Sequence, residues 1–423
     1  MTPLDYTYLQ ERSVAEKETS VLILGYAFPP IHVQMSPVVA RLVAGLDELG
    51  FAVDVICADP DVSPLPRDDS LVDYAMAHCR RVQRLRPSRS VLRRIAHKFS
   101  RLRDLPDCME QLQDAAVAAV MAAEPSSYAG VITVSPFHSV NPVMVRVKRR
   151  RPNLRWIAHF CDPWSGNPLE TRRDVRLCNA WREPQTLRAA TYVTHSSPHA
   201  LEMVLKAYPF LKPERTALVP HVFDPALYPS RPKHRSEKVT LRFLGTLFSR
   251  RTPLPIFLAL GSLMHRRPDL RDALRIELVG FVEPGMLEGP AAASLPCGMV
   301  GHRPPVPYLE SLELMYDADI LLLIEADVAS TPFVPSKLTD YMGANTPIVA
   351  IAPEGGCRDI LGRLGCPTVD PKNIDGIASA LETAIDRVIR GASGTWCNEE
   401  FRQSFGFRSA AAVFATLLRS SPI

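Results

Sequence analysis

The hydrophobic pattern of the chain alternates short apolar runs with longer stretches of helical period. Val21–Leu24 is an aliphatic run, and Phe51–Cys57 (FAVDVIC) is a second. Between them Val39, Leu42, Val43, Leu46 and Leu49 recur every three or four positions, which predicts an amphipathic helix. Ser36-Pro37 opens that helix in the favoured N-cap and first-turn arrangement, and Gly50 stops it. A strand–helix–strand unit of this kind begins a parallel sheet. Gly130–Val134, Leu154–Phe160 and Ala190–Thr194 read as further strands, with helices over Leu112–Ala123 and Pro198–Tyr208. Residues 223–238 are polar, proline-rich and without period, so a linker is expected there. A second series follows, with strands at Val239–Leu244, Leu274–Gly280, Ile320–Ile324 and Pro347–Ile351. Helices are expected over Leu254–Met264, Val306–Tyr316, Ser336–Gly343, Ile374–Ile389 and Glu399–Leu418.

With 423 residues the chain is too long for one compact core, so two α/β domains are expected. The formal net charge of +4 says little about partners. Nine cysteines are scattered without a C-x-x-C pair, which points to reduced thiols and away from a structural zinc. Residues 1–19 lack the apolar core of a secretory signal, and no apolar run approaches the roughly 20 residues that span a bilayer. A cytoplasmic protein is expected. The run Arg80–Arg103 contains no acidic residue. Beyond Pro87 it places Val91, Leu92, Ile95, Phe99 and Leu102 on one helical face, with Arg93, Arg94 and Lys98 among the cations around it. That pattern suits an anionic membrane surface, and equally a core-packed helix with a solvated charged face. Nucleic acid is not expected, since no base-reading motif accompanies it.

Phe333–Ala350 (FVPSKLTDYMGANTPIVA) is the segment richest in chemistry. A proline turn leads to a short helix starting at Ser336, where free backbone N–H groups and a positive helix end favour an anion such as a diphosphate. Lys337 adds a cation in the first turn, and Asp340 stands one turn on, able to accept ribose hydroxyls. A plain αβ connection with a solvated lysine is the alternative. In the first half, His138, His159 and Asp162 sit at strand ends, with His195 and His221 as weaker candidates. A carboxylate at Asp162 could orient or deprotonate an acceptor hydroxyl, or could simply form an Asx-Pro turn.

These residues resemble the C-terminal signature of family 4 glycosyltransferases of the GT-B fold, in the bacterial branch with a PSK-x-x-(E/D)-Y motif. The resemblance extends to Phe28-Pro29-Pro30, to FCDPWSGNP at Phe160–Pro168, to ALVPHVFDP at Ala217–Pro225, to FLGTLFSRR at Phe243–Arg251 and to LMYDADILLLI at Leu314–Ile324. It implies two Rossmann-like doubly wound α/β domains facing across a cleft. An acceptor domain would cover 1–225 and a nucleotide-sugar domain 239–395, with a C-terminal helix in 396–423 packing back toward the first. It further implies transfer of a sugar from a nucleotide-diphosphate sugar to a hydroxyl of a glycan, lipid-linked or small-molecule acceptor. Retention of configuration and polysaccharide or glycoconjugate biosynthesis are part of that expectation, with no metal and no cofactor beyond the nucleotide sugar. Gly245 and Thr246 would approach the diphosphate, Arg250 or Arg251 would neutralise it with Ser336 and Lys337, Asp340 would hold the ribose, and Asp162 and His138 would serve the acceptor. The chain departs from the pattern at Pro332, where the family has its first glutamate, and at Thr246, where many members have arginine. A nucleotide-sugar 2-epimerase and a non-catalytic sugar-nucleotide-binding protein remain open alternatives on the same fold.

Overall fold

A computed structural model of the chain describes residues 7–11, 19–87, 105–234, 236–391 and 395–420. The expected basic helix with Arg93, Arg94 and Lys98 lies outside the described residues. The chain divides into two compact units, one of residues 1–222 with 407–423 and one of residues 223–406. Among the described residues no helix is long and apolar enough to cross a membrane.

The first unit is built on strands β1 (Thr7–Glu11), β2 (Thr19–Leu24), β3 (Phe51–Ala58), β4 (Arg81–Leu85), β5 (Val131–Ser135), β6 (Trp156–Phe160), β7 (Tyr192–His195) and β8 (Thr216–Leu218). They form one sheet in the order β1-β4-β3-β2-β5-β6-β7-β8, parallel throughout except for β1 against β4. Helices α1 (Met35–Glu48), α2 (Val72–Ala77), α3 (Gln113–Ala122), α4 (Val140–Arg150), α5 (Arg173–Ala189) and α6 (Pro198–Ala207) connect them. Ser36 is not the cap of α1. It lies inside the first turn and donates to the Ile31 carbonyl at 2.5 Å, so the loop before the helix is tied back. Arg80–Leu85 enters the sheet instead of continuing as basic surface, because carboxylates on β3 and just after it meet its cations. Arg80 binds Asp54 with two 2.8 Å bonds, and Arg86 binds Asp59 at 2.6 Å.

The second unit carries β9 (Val239–Leu244), β10 (Leu274–Val279), β11 (Val300–Arg303), β12 (Ile320–Ile324), β13 (Ser330–Thr331), β14 (Ile348–Ile351), β15 (Glu354–Gly355) and β16 (Thr368–Val369). Six of them form a parallel sheet, β11-β10-β9-β12-β14-β16, and β13 pairs with β15. Its helices are α7 (Leu254–Arg266), α8 (Pro290–Ala293), α9 (Tyr308–Tyr316), α10 (Ser336–Ala344), α11 (Gly356–Leu364), α12 (Ile374–Ile389) and α13 (Glu399–Gln403). Strands β3, β5, β6, β7, β12 and β14 are buried along their whole length on both faces, which is why most of them read as short apolar runs. The expected single helix over Glu399–Leu418 is broken at Ser404–Gly406. Its second part, α14 (Phe407–Arg419), belongs to the first unit and lies against α1 so closely that a Cβ on Gly45 would stand 2.7 Å from Ala411 Cβ.

Candidate functional site

In the second unit, the carboxyl ends of β9, β10 and β12 and the start of α10 meet. Such an edge is where α/β sheets bind ligands. Pro335 precedes α10 and no side chain caps it, so the positive helix start faces no capping side chain. Lys337 is not solvated. It is 8% exposed, with Nζ 3.5 Å from Glu325 Oε1, 3.3 Å from the Ile324 carbonyl and 4.9 Å from the centre of the Phe243 ring. Burial pulls its pKa down to about 8, against the opposing pull of the Glu325 charge. Glu325 Oε2 also accepts a 2.8 Å bond from Arg251. Two cations therefore share one buried carboxylate, and the cluster keeps an excess positive charge beside a positive helix end.

Loop 245–251 is shaped to place Arg251 there. Phe248 and Arg251 exchange backbone bonds at 3.0 Å, Leu247 N binds the Phe281 carbonyl at 2.8 Å, and Ser249 N binds Glu283 Oε2 at 2.7 Å. This turn aims Arg251 inward and leaves Arg250 exposed, on a cavity of about 350 Å³ with Thr252, Asp327 and Lys372. Gly280, at φ +127°, is required by the same close approach, since its Cβ would fall 2.0 Å from the Gly245 carbonyl oxygen. Gly245, at φ +139°, lies next to the Lys337 stem.

The structure thus brings together Gly245, Arg251 and Lys337, with Ser336 at the helix start. Thr246 is exposed beside them. Asp340 is elsewhere. It is 7% exposed, its Oδ1 accepts a 2.9 Å bond from Tyr308 of α9, and its carbonyl accepts one from Tyr228. An open carboxylate poised for ribose is not what α10 presents at that position; neighbouring segments cover that face of the helix.

In the first unit, the carboxyl ends of β5, β6 and β7 carry an aromatic layer. His138 stacks on Trp164 with centroids 4.8 Å apart, and Phe160 stacks on His195 at 5.0 Å. His138 Nδ1, Trp164 Nε1 and both ring nitrogens of His195 are buried without hydrogen-bond partners among the described residues. Burial holds His138 and His195 near pKa 3, so both are neutral. A histidine that acidic is a weak base. Asp162, half-buried in the loop after β6, has no ion pair or hydrogen bond with the described residues. Burial raises its carboxyl to about 6, close to the working range of a proton acceptor. His159 is buried, bonds Thr194 at 2.9 Å and meets Phe414 edge-on.

Three supporting residues escaped the sequence reading. Glu325 is the carboxylate that gathers the cations of the second unit. Asp107 accepts from Ser139 N at 2.9 Å and Ser139 Oγ at 2.6 Å, fixing the turn that carries His138. Glu183 of α5 accepts from Ser165 and, at 2.7 Å, from Tyr208, fixing the loop that carries Asp162. Burial raises both latter carboxyls. Asp59-Pro60-Asp61, an aspartate pair directly after β3, is engaged by Arg86.

No protein-family model matches the chain, and no curated protein matches it in sequence. Solved structures do. A sucrose-phosphate synthase from Thermosynechococcus elongatus is similar at 18% identity and a TM-score of 0.63, over 95% of this chain and 98% of that one. Anabaena HepE, solved with UDP and glucose, is similar at 13% identity and 0.64, over 96% and 100%. An Escherichia coli trehalose-6-phosphate structure with UDP-2-fluoro-glucose is similar at 12% and 0.62, over 96% and 100%. Two Rossmann-like units with these sheet orders, alike over nearly the whole chain to such structures, have the GT-B fold.

Proposed function

We propose that the chain is a glycosyltransferase that moves a sugar from a nucleotide-diphosphate sugar to an acceptor hydroxyl. The observation that carries this reading is the buried Arg251–Glu325–Lys337 cluster at the uncapped start of α10. Two cations, an anion-accepting helix end and a glycine turn at Gly245 suit a diphosphate and the charge it gains as a leaving group. Those cations supply the stabilisation, so binding is expected without a divalent metal. The acceptor chemistry is assigned to the first unit, with Asp162 as proton acceptor and His138 as a positioning group. Retention of configuration and a place in polysaccharide or glycoconjugate assembly are finer parts of the same proposal, and the anomeric proton of the product tests the first.

Lys337→Met is the decisive variant. The folded chain holds Lys337 at a pKa of about 8, below its ordinary 10.5. Between those values the unfolded chain binds more protons, so stability rises with pH there, and below about pH 8 the buried charge carries its full cost. Methionine removes that cost. The variant should melt no lower than wild type at pH 7, yet bind UDP about 10- to 100-fold more weakly by calorimetry, the value of a charge-assisted hydrogen bond. Wild-type affinity should fall as pH rises through 8 and should survive chelation of divalent ions. Unchanged affinity in the variant would remove Lys337 from the site.

A further inference from the structure

The opposite end of the first unit holds a second charged feature. At the amino ends of β6 and β7, a cavity of about 930 Å³ is lined by Lys148, Arg150, Arg151, Arg155, Arg188 and Arg215, with Ser126, Asn153 and Thr191 between them. No carboxylate is among its lining residues. Elsewhere in this unit arginines pair with acids, as Arg146 does with Asp114 and Arg182 with Glu110, both at 2.8 Å. The cations of the cavity meet carbonyl oxygens instead. Lys148 donates to the Pro152 and Leu154 carbonyls, Arg155 to those of Leu418 and Ser420, and Arg215 to those of Leu187, Ala190 and Thr191. Arg188 lies over the Phe210 ring at 4.3 Å.

A plain explanation is that these residues cap the carboxyl ends of α4 and α5. Its magnitude is too small. Two helix ends supply about one negative charge between them, whereas six cations surround the cavity. The side chains of Arg150 and Arg151 make no hydrogen bond or ion pair with the described residues and so satisfy no helix-end carbonyl. Burial lowers the pKa of Lys148 and Arg215, and the Arg215 charge adds to the effect on Lys148, the signature of cations gathered without a counter-charge.

We propose that this cavity binds a phosphate-bearing ligand with at least two negative charges. Its volume falls within the range of small-molecule sites, and guanidinium groups match phosphate oxygens in pairs. The ligand chemistry is shared by a soluble phosphorylated compound and by the headgroup of an anionic lipid. The site is independent of the diphosphate site proposed for the second unit.

The test uses the full chain, titrated calorimetrically with pyrophosphate at low salt and sedimented with phosphatidylcholine vesicles containing phosphatidic acid. The variant is Arg150→Gln with Arg151→Gln. Arg149→Gln is the control, because Arg149 is exposed on the same helix end and does not line the cavity. The double variant should melt like wild type and lose affinity for one of the two probes by at least about tenfold. The lysine pair Arg150→Lys with Arg151→Lys should recover most of it. The difference between wild type and variant reports this cavity alone, whatever else binds elsewhere. Loss of pyrophosphate binding assigns a soluble ligand, and loss of vesicle binding alone assigns a lipid headgroup. Equal affinities of wild type and double variant for both probes would overturn the proposal. So would an Arg149→Gln loss as large as that of the double variant, or no binding of either probe by wild type.

Discussion

Asp162→Asn should lower sugar transfer by about 10²–10⁴-fold, the range for a proton acceptor, while nucleoside diphosphate affinity is little changed. The loop CDPWSGNP places this carboxylate just past the end of β6, beside the aromatic layer of His138 and Trp164. It has no counter-ion there, and burial raises its pKa from 3.8 to about 6. The sign of the stability effect follows. Between pH 3.8 and 6 the folded chain holds the proton more tightly than the unfolded chain, so stability falls as pH rises through that window and the ionised form carries a cost at pH 7. Asparagine is nearly isosteric and cannot ionise. The variant should therefore melt at or above the wild-type temperature at pH 7 while losing turnover, and wild-type turnover should fall as pH drops through about 6. A residue that merely formed an Asx-Pro turn would behave oppositely, losing stability and keeping activity. Full activity in Asp162→Asn would move the acceptor chemistry away from this loop, and lost donor binding in a folded variant would move Asp162 to the donor.

What the sequence revealed follows from which forces are local. The strands at β2, β3, β9 and β12 are apolar runs buried on both faces, and α12 spans Ile374–Ile389 as its period demands. The start of α10 at Ser336 was legible because a proline and a polar first turn mark it. The strand β4 was not legible, since Arg81-Val82-Gln83-Arg84-Leu85 reads as basic surface until Asp54 and Asp59 are placed beside the flanking Arg80 and Arg86. Helix α5 hides its period because Asn179, Glu183 and Thr186 are buried polar residues on its inner face. The break at Ser404–Gly406 lies within an unbroken helical period; the partners at the break are distant in sequence, the Phe405 carbonyl accepting from Phe223 N at 2.9 Å and α14 packing on α1. At the candidate site, Gly245, Arg251 and Lys337 stand in recognisable motifs. Glu325 reads only as the polar end of a strand, and Asp340 reads as open because its partner Tyr308 is 32 residues away. Residue types are legible in one dimension, while the partner that decides what each does comes from another element.

Glu325→Gln separates the structural and ligand-binding parts of the cluster, because it should move them in opposite directions. Glu325 is 6% exposed and is the carboxylate against which both Arg251 and Lys337 are placed. Removing this one carboxylate leaves two like cations uncompensated, whereas losing Lys337 leaves the Arg251–Glu325 pair intact; the cost of the former is about 3–5 kcal/mol. For a unit of this size that corresponds to a melting temperature lower by on the order of 10 °C. The same change takes away the negative charge that competes with a diphosphate for the two cations. A bound nucleoside diphosphate should then replace the missing carboxylate, and UDP should raise the melting temperature of the variant by more than it raises that of wild type. Calorimetric affinity should be equal or tighter in the variant. If stability falls and affinity falls with it, Glu325 holds the cations in position for the ligand and does not oppose it. If neither changes, the cluster is not the anion site, and the reading of the second unit as the diphosphate-binding half fails with it.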